Sequence, residues 1–201
     1  CRTMEEAIHF LREVYRYGRL KQWLNRDNTV ELLIPTVPMM SDAAPFDVML
    51  VKMLHSVPES QRLEVLGTRN LSRRTVLHCV AEEGNIEGVK AILNLYAESE
   101  QRLQAVNVQD ACNTTALHYA AYSTKMSMKG ILELLPESER MHALEMQDNI
   151  GQTVLHCSAE VGNLEAITDI LTMYPASERL RAVRMRAEAG ITSLHHAAEM
   201  D

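Results

Sequence analysis

Residues Thr75–Asn85 read TVLHCVAEEGN, and Thr153–Asn163 read TVLHCSAEVGN, nearly the same phrase 78 residues further on. Each copy sets a histidine beside a cysteine, which would suit a metal or redox site, but the phrase belongs to a wider pattern. The tetrapeptide T-x-L-H occurs at Thr75–His78, Thr115–His118, Thr153–His156 and Thr192–His195, with its leucines Leu77, Leu117, Leu155 and Leu194 at intervals of 40, 38 and 39. A second phrase keeps step: PESQRL from Pro58, ESEQRL from Glu98, PESERM from Pro136 and PASERL from Pro175. Its arginines, Arg62, Arg102, Arg140 and Arg179, each precede the next T-x-L-H leucine by 15 residues. From leucine to the following arginine the count varies, at 25, 23 and 24, and the changes fall in turn-like stretches such as YSTK at Tyr122–Lys125. A fixed period with length changes confined to turns is the mark of stacked units sharing one core.

Each unit makes physical sense as short antiparallel helices. In the third, Thr153 caps a helix carrying Leu155, Cys157 and Ala159, Gly162 and Asn163 break it, and Leu164, Ile167, Ile170 and Leu171 follow at helical spacing. Small residues (Ala81, Ala120, Ala121, Ser158, Ala159, Ala197, Ala198) let neighbouring helices approach closely. In the second phrase, proline at a first helical position and the pair Leu180 and Val183 predict a further short helix. Composition agrees: 46% hydrophobic and only 4% aromatic residues, with 12 Met and 8 Gly, favour an all-α chain.

The pattern D-x-x-G-x-T-x-L-H-x-x-A-x-x-G-N resembles the ankyrin repeat. Its fullest copy is Asp148, Gly151, Thr153, Leu155, His156, Ala159 and Gly162, with Val154 in place of the usual proline. In the second copy Asp110, Thr115, Leu117, His118, Ala120 and Ala121 match, and Asn113 stands for the turn glycine. The first copy has Asn70 and Arg73 at the Asp and Gly places, around Thr75, Leu77 and His78. The likeness covers about 58–201, with units some six residues longer than an ordinary ankyrin repeat. It implies a helical solenoid with short hairpin loops, and the PESER-containing long unit resembles those of ankyrin effectors that intracellular bacterial pathogens inject into host cells.

The expected organisation is a helical N-terminal segment at 1–35, a degenerate capping repeat at 36–67, and ankyrin repeats at 68–201, three full and a fourth truncated. TVPMMSDAAPFDVMLVKML from Thr36 aligns without gaps to TVLHCSAEVGNLEAITDIL from Thr153, with Pro38 and Met39 replacing leucine and histidine. Thr3 and Glu6 form a capping box for a helix bearing Ile8, Leu11, Val14 and Tyr15, and one with Leu20, Trp23 and Leu24 follows. The start at Cys1 rather than Met suggests a piece of a longer protein.

Chemical alternatives fare worse. Stacked units stand roughly 8–10 Å apart, so His78, His118, His156 and His195 cannot share a metal whose nitrogen ligands sit about 2 Å away. The ankyrin likeness implies instead that they and their threonines hydrogen-bond turn backbone. Cys79 and Cys157, two units apart, lie beyond disulfide reach and read as core, whereas Cys112 sits at a hairpin tip. The arginines of the second phrase, accompanied by Glu59, Glu98, Glu137 and Glu178, read as a surface ion-pair ladder. Glu82 and Glu83 beside Gly84 read as solvated. No catalytic constellation, phosphate loop or metal motif is present, so neither an enzyme nor a cofactor is expected.

Net charge is −7, which argues against nucleic acid and anionic membranes as partners. Residues 1–57 balance seven bases with seven acids, leaving 13 bases to 20 acids in 58–201, so a charge-steered partner should carry a basic surface. No apolar run approaches membrane length and the N-terminus lacks signal-peptide order, which points to the cytoplasm or, for an effector, the host-cell cytoplasm. The ankyrin likeness implies that a protein partner binds the hairpin tips and inner helix faces. Those positions include Arg69, Arg73, Glu82, Glu83, Gln109, Cys112, Tyr122, Ser123, Asn149, Ile150, Glu160 and Val161, with Tyr122 and Ile150 as anchors. The function expected is a non-enzymatic interaction scaffold; the alternative is a substrate-recognition module of a larger enzyme whose catalytic domain lies outside this chain.

Overall fold

The computed structural model describes residues 59–124 and 127–199. The chain divides into two units, 1–65 and 66–201, and the second is described here by itself. The expected N-terminal segment 1–35 and residues 36–58 of the expected capping repeat 36–67 lie outside the described residues.

Every regular element among the described residues is helical. After α1 (Glu59–Gly67), an inner helix opens each unit: α2 (Val76–Glu82), α5 (Ala116–Tyr122), α8 (Val154–Glu160) and α11 (Ser193–Ala198). Each begins directly after a threonine with extended backbone, and that threonine forms a reciprocal capping box with the histidine three residues on. A cap of this kind stabilises a helix by about 1 kcal/mol, a large share for helices of six or seven residues.

Outer helices follow: α3 (Ile86–Leu93), α6 (Lys129–Leu132) and α9 (Leu164–Met173). Asn85 and Asn163 cap the first and third through Oδ1, which accepts from the amides of Gly88 at 2.8 Å and Ala166 at 3.0 Å. The second unit has neither residue, and its outer helix shrinks to four residues. The third unit supplies the missing cap. Asp169 on α9 accepts from the Ser127 hydroxyl (2.8 Å) and the Lys129 amide (2.9 Å), while Asn163 Nδ2 donates to the Ser123 carbonyl at 2.7 Å.

The second phrase forms the expected extra helices, α4 (Ser99–Val106), α7 (Arg140–Glu145, entered through a 3-10 turn at Glu137–Glu139) and α10 (Arg179–Arg184). Its two prolines among the described residues do not occupy a first helical position: Pro136 precedes the 3-10 turn, and Pro175 lies one turn ahead of α10. The expected ion-pair ladder is also corrected. Arg102 donates to the Tyr96 carbonyl at 3.2–3.3 Å, Arg140 to Leu135 (3.2 Å) and Glu133 (3.4 Å), and Arg179 to Tyr174 (3.2 Å). These guanidiniums close the carbonyl end of the preceding outer helix, where unsatisfied acceptors and the negative end of the helix dipole favour a cation.

Packing follows two rows: α2 on α5, α5 on α8 and α8 on α11 in the first, α3 on α6 and α6 on α9 in the second. Leu77, Val80, Leu117 and Leu155 fill the first row, and Ile92, Leu93, Ile131, Leu132 and Ile170 the second, all buried. Each such side chain contributes about 1.5–3 kcal/mol of burial. Ala81, Ala120, Ala121, Ser158 and Ala159 are buried between helices as expected, whereas Ala197 and Ala198 are exposed. Leu164 and Leu180, expected on apolar faces, are also exposed. Close approach within a unit depends on Gly88, where a Cβ would lie 2.7 Å from Val80 Cγ1.

Candidate interaction surface

Between α1 and α2, α4 and α5, α7 and α8, and α10 and α11 the chain makes a tip of repeating geometry. Asn70, Asp110 and Asp148 each accept two amides through Oδ1: from Ser72 and Arg74 (2.8 and 2.9 Å), Cys112 and Thr114 (2.7 and 3.0 Å), and Ile150 and Gln152 (3.0 and 2.8 Å). The first tip is therefore built like the second and third, because the asparagine oxygen accepts as the carboxylate does. Arg73 (φ 59°) and Asn113 (φ 56°) adopt the left-handed backbone that Gly151 (φ 76°) adopts freely. Adjacent tips are joined by one amide each: Ala111 to the Ser72 carbonyl, Asn149 to Cys112 and Glu188 to Ile150, at 2.8–3.0 Å.

Behind the tips stand the histidines. In each of the first three units the threonine amide donates to Nδ1 (Thr75 to His78, 3.1 Å; Thr115 to His118 and Thr153 to His156, 3.2 Å). An accepting Nδ1 leaves the proton on Nε2, which donates to a carbonyl of the following unit: Val108 (3.0 Å), Gln152 (3.1 Å) and Met185 (3.1 Å). Burial, the largest influence on all three, lowers their pKa and keeps the rings neutral. These imidazoles stitch unit to unit, with both nitrogens engaged.

The inner helices present two polar clusters. In the first, Arg74 lies with its guanidinium carbon 4.3 Å from the Tyr119 ring centroid, donates to the Tyr119 hydroxyl, and pairs with Glu82 (2.8 Å) and Asp110 (3.4 Å). Tyr119 donates to Asp110 Oδ2 at 2.8 Å. Burial alone would raise the Asp110 pKa, but Tyr119, the Cys112 and Thr114 amides and Arg74 outweigh it and hold the carboxyl below its ordinary value. In the second, the Tyr122 hydroxyl lies 2.9 Å from Gln152 Oε1 and 3.1 Å from Glu160 Oε2, and Gln152 Nε2 donates to Glu160 at 3.0 Å. Burial first, and then Cys157 and Glu160, push the Tyr122 phenol above its ordinary range.

Of the twelve candidate residues, Arg69, Arg73, Glu82, Glu83, Cys112, Tyr122, Asn149, Ile150 and Glu160 are exposed, and Gln109, Ser123 and Val161 are partly so. Several are engaged within the protein. Gln109 Nε2 donates to the carbonyls of Asn113 (3.0 Å) and Gln147 (3.4 Å), Glu82 pairs with Arg74, and the Tyr122 hydroxyl is held as described. Tyr122 is thus a built-in member of a cluster rather than a free anchor. Ile150 is 47% exposed at the third tip; the sequence reading missed Leu71, 97% exposed at the first, two tips earlier. Its signal was available: the same tip place holds Ala111, Asn149 and Glu188, so a leucine there is out of pattern. Burial raises the Cys79 and Cys157 thiols to about 11 and about 12, leaving Cys112 as the exposed cysteine among the described residues.

No helix among the described residues is long and apolar enough to cross a membrane. Comparison of the chain with protein-family models and with curated proteins finds no match.

Proposed function

We propose that this chain is an ankyrin-type solenoid that works as a protein-interaction scaffold, binding a partner across its hairpin tips and inner helix faces. One observation carries the reading: Leu71 and Ile150 stand exposed on tips tied together by the amide ladder. Exposed apolar side chains on a rigid polar frame are what interface anchors require, because most of the binding energy of an interface comes from a few such groups. Around them Arg69, Arg73, Asn149 and Glu160 supply a polar rim. The acidic excess of 58–201 favours a partner with a basic surface. Recognition without chemistry, as part of a bacterial effector acting on host proteins in the host-cell cytoplasm, is the role this reading assigns.

The test is capture from host-cell lysate with the parent chain and with the Leu71→Ala/Ile150→Ala variant as baits. Both side chains are largely solvated, so stability should stay within about 0.5 kcal/mol of the parent. A protein enriched by the parent and lost with the variant supports the reading. Enrichment that ignores the double substitution refutes the proposed surface.

A further inference from the structure

The second polar cluster holds a feature that simple recognition does not require. Gln152, 5% exposed, joins Tyr122 of α5, Glu160 of α8 and His196 of α11. Its Nε2 donates to Glu160 and also lies 3.2 Å from His196 Nε2. An amide nitrogen is only a donor. That contact is a hydrogen bond only while His196 Nε2 is unprotonated, with the ring proton on Nδ1.

Resting on the recognition reading above, we propose that His196 regulates this surface: its protonation turns the Gln152 amide over and sets a cation beside Glu160, taking from a basic partner the anion it would meet. A proton taken from solvent onto His196 Nε2 sets donor against donor. Turning the amide brings Oε1 to the imidazolium and Nε2 to the Tyr122 oxygen, which has lone pairs to accept it. The Tyr122 hydroxyl then gives its hydrogen to Glu160 alone. Gln152 Oε1 now faces the Glu160 carboxylate, acceptor against acceptor, so Glu160 gives up its Gln152 donor and turns to the Tyr122 hydroxyl and the imidazolium. With His196 neutral the surface offers Glu160 as an open negative charge; with the ring protonated, that charge is paired within the protein.

The surroundings single out this ring as the sensor. Facing it from α8 is His156 (ring centroids 6.2 Å apart, edge to face), with Glu160 reached through Gln152, and Asp148 of the adjoining tip acts on His156 and Cys157 behind them. Packed on α11 from the other side, α10 carries Arg179, Arg181 and Arg184, and α11 itself adds His195 beside Glu199. His156 cannot take the proton without losing the Thr153 amide and is buried, whereas His196 is partly exposed. The equivalent places in the earlier units hold Cys79, Tyr119 and Cys157, so the switch is confined to one position.

The experiment is an NMR titration of the free, isotopically labelled chain from pH 8 to 5.5, following the Gln152 side-chain amide, the Glu160 carboxyl carbon and the His196 ring. The Gln152 and Glu160 resonances should move with the midpoint of the His196 ring. In His196→Gln, which keeps an acceptor at that place and does not titrate, this movement should be lost. Gln152 resonances that ignore the His196 titration in the parent, or that move unchanged in the variant, would overturn the proposal. The parent titration decides the matter even if the variant folds poorly. Since no partner is present, a negative result here leaves recognition standing, and failure of recognition would show instead in the capture experiment at constant pH.

Discussion

Acidification should loosen the contacts between units, and the size of the effect follows from the three stitching histidines. His78, His118 and His156 are fully buried, and each accepts an amide hydrogen at Nδ1, so the folded state resists protonation and its pKa lies below the ordinary value. The unfolded chain binds the protons that the folded chain refuses. Stability is therefore complete above the unfolded histidine value of about 6.5 and falls as the pH drops below it. Relative to pH 7, one histidine kept neutral costs about 0.7 kcal/mol at pH 6 and about 2 kcal/mol at pH 5. Three together cost at most about 2 kcal/mol at pH 6 and at most about 6 kcal/mol at pH 5, comparable with the whole stability of a domain. Asp110 does not offset this, because its lowered pKa removes stability only at pH values below the carboxylate range. With a urea dependence of about 2 kcal/mol per molar, the midpoint should fall by up to about 1 M between pH 7 and pH 6. Denaturation curves read by circular dichroism across pH 7.5–5.5 measure it, and His118→Gln should lose about a third of the slope. A midpoint that stays put over that range would refute the neutral-imidazole argument.

Three further outcomes follow from named contacts. Asp148→Ala removes the acceptor of the Ile150 and Gln152 amides and should cost about 1–3 kcal/mol in thermal or chemical unfolding, whereas Asp148→Asn should cost much less, since Asn70 already serves the first tip in that way. Arg140→Ala uncovers the Leu135 and Glu133 carbonyls and should lower stability by about 1–2 kcal/mol, with little change on raising the salt concentration, as expected for a carbonyl cap and not for an ion-pair ladder. Iodoacetamide at neutral pH should label Cys112 quickly and spare Cys79 and Cys157, whose thiols burial raises to about 11 and about 12; mass spectrometry of the digested protein reads the sites.

What the sequence disclosed and what it hid divide along physical lines. Thr153 could be assigned as a cap from type and spacing, because caps act over three residues, whereas Asn163, read as a helix breaker, proves to cap the helix that follows. The partners of Arg102, Arg140 and Arg179 could not be read, since they are backbone carbonyls that no side-chain pattern displays. Tyr122 looked like a free aromatic because its hydrogen-bond partners, Gln152 and Glu160, lie 30 and 38 residues away. Arg73 and Asn113 show the opposite error. They depart from the glycine of the pattern, yet a left-handed residue in a tip costs only about 1–2 kcal/mol, which the surrounding hydrogen bonds offset.

The stitch between units runs one way. His78 reaches forward to Val108, His118 to Gln152 and His156 to Met185, each toward later sequence. A chain made from its N-terminus onward thus leaves only its newest imidazole waiting, and every unit behind that point already has its acceptor. Loss of a unit from the C-terminal side strands the histidine before it, whereas loss from the N-terminal side strands no imidazole. Construction and erosion of this protein therefore share a direction, written in which neighbour each ring addresses.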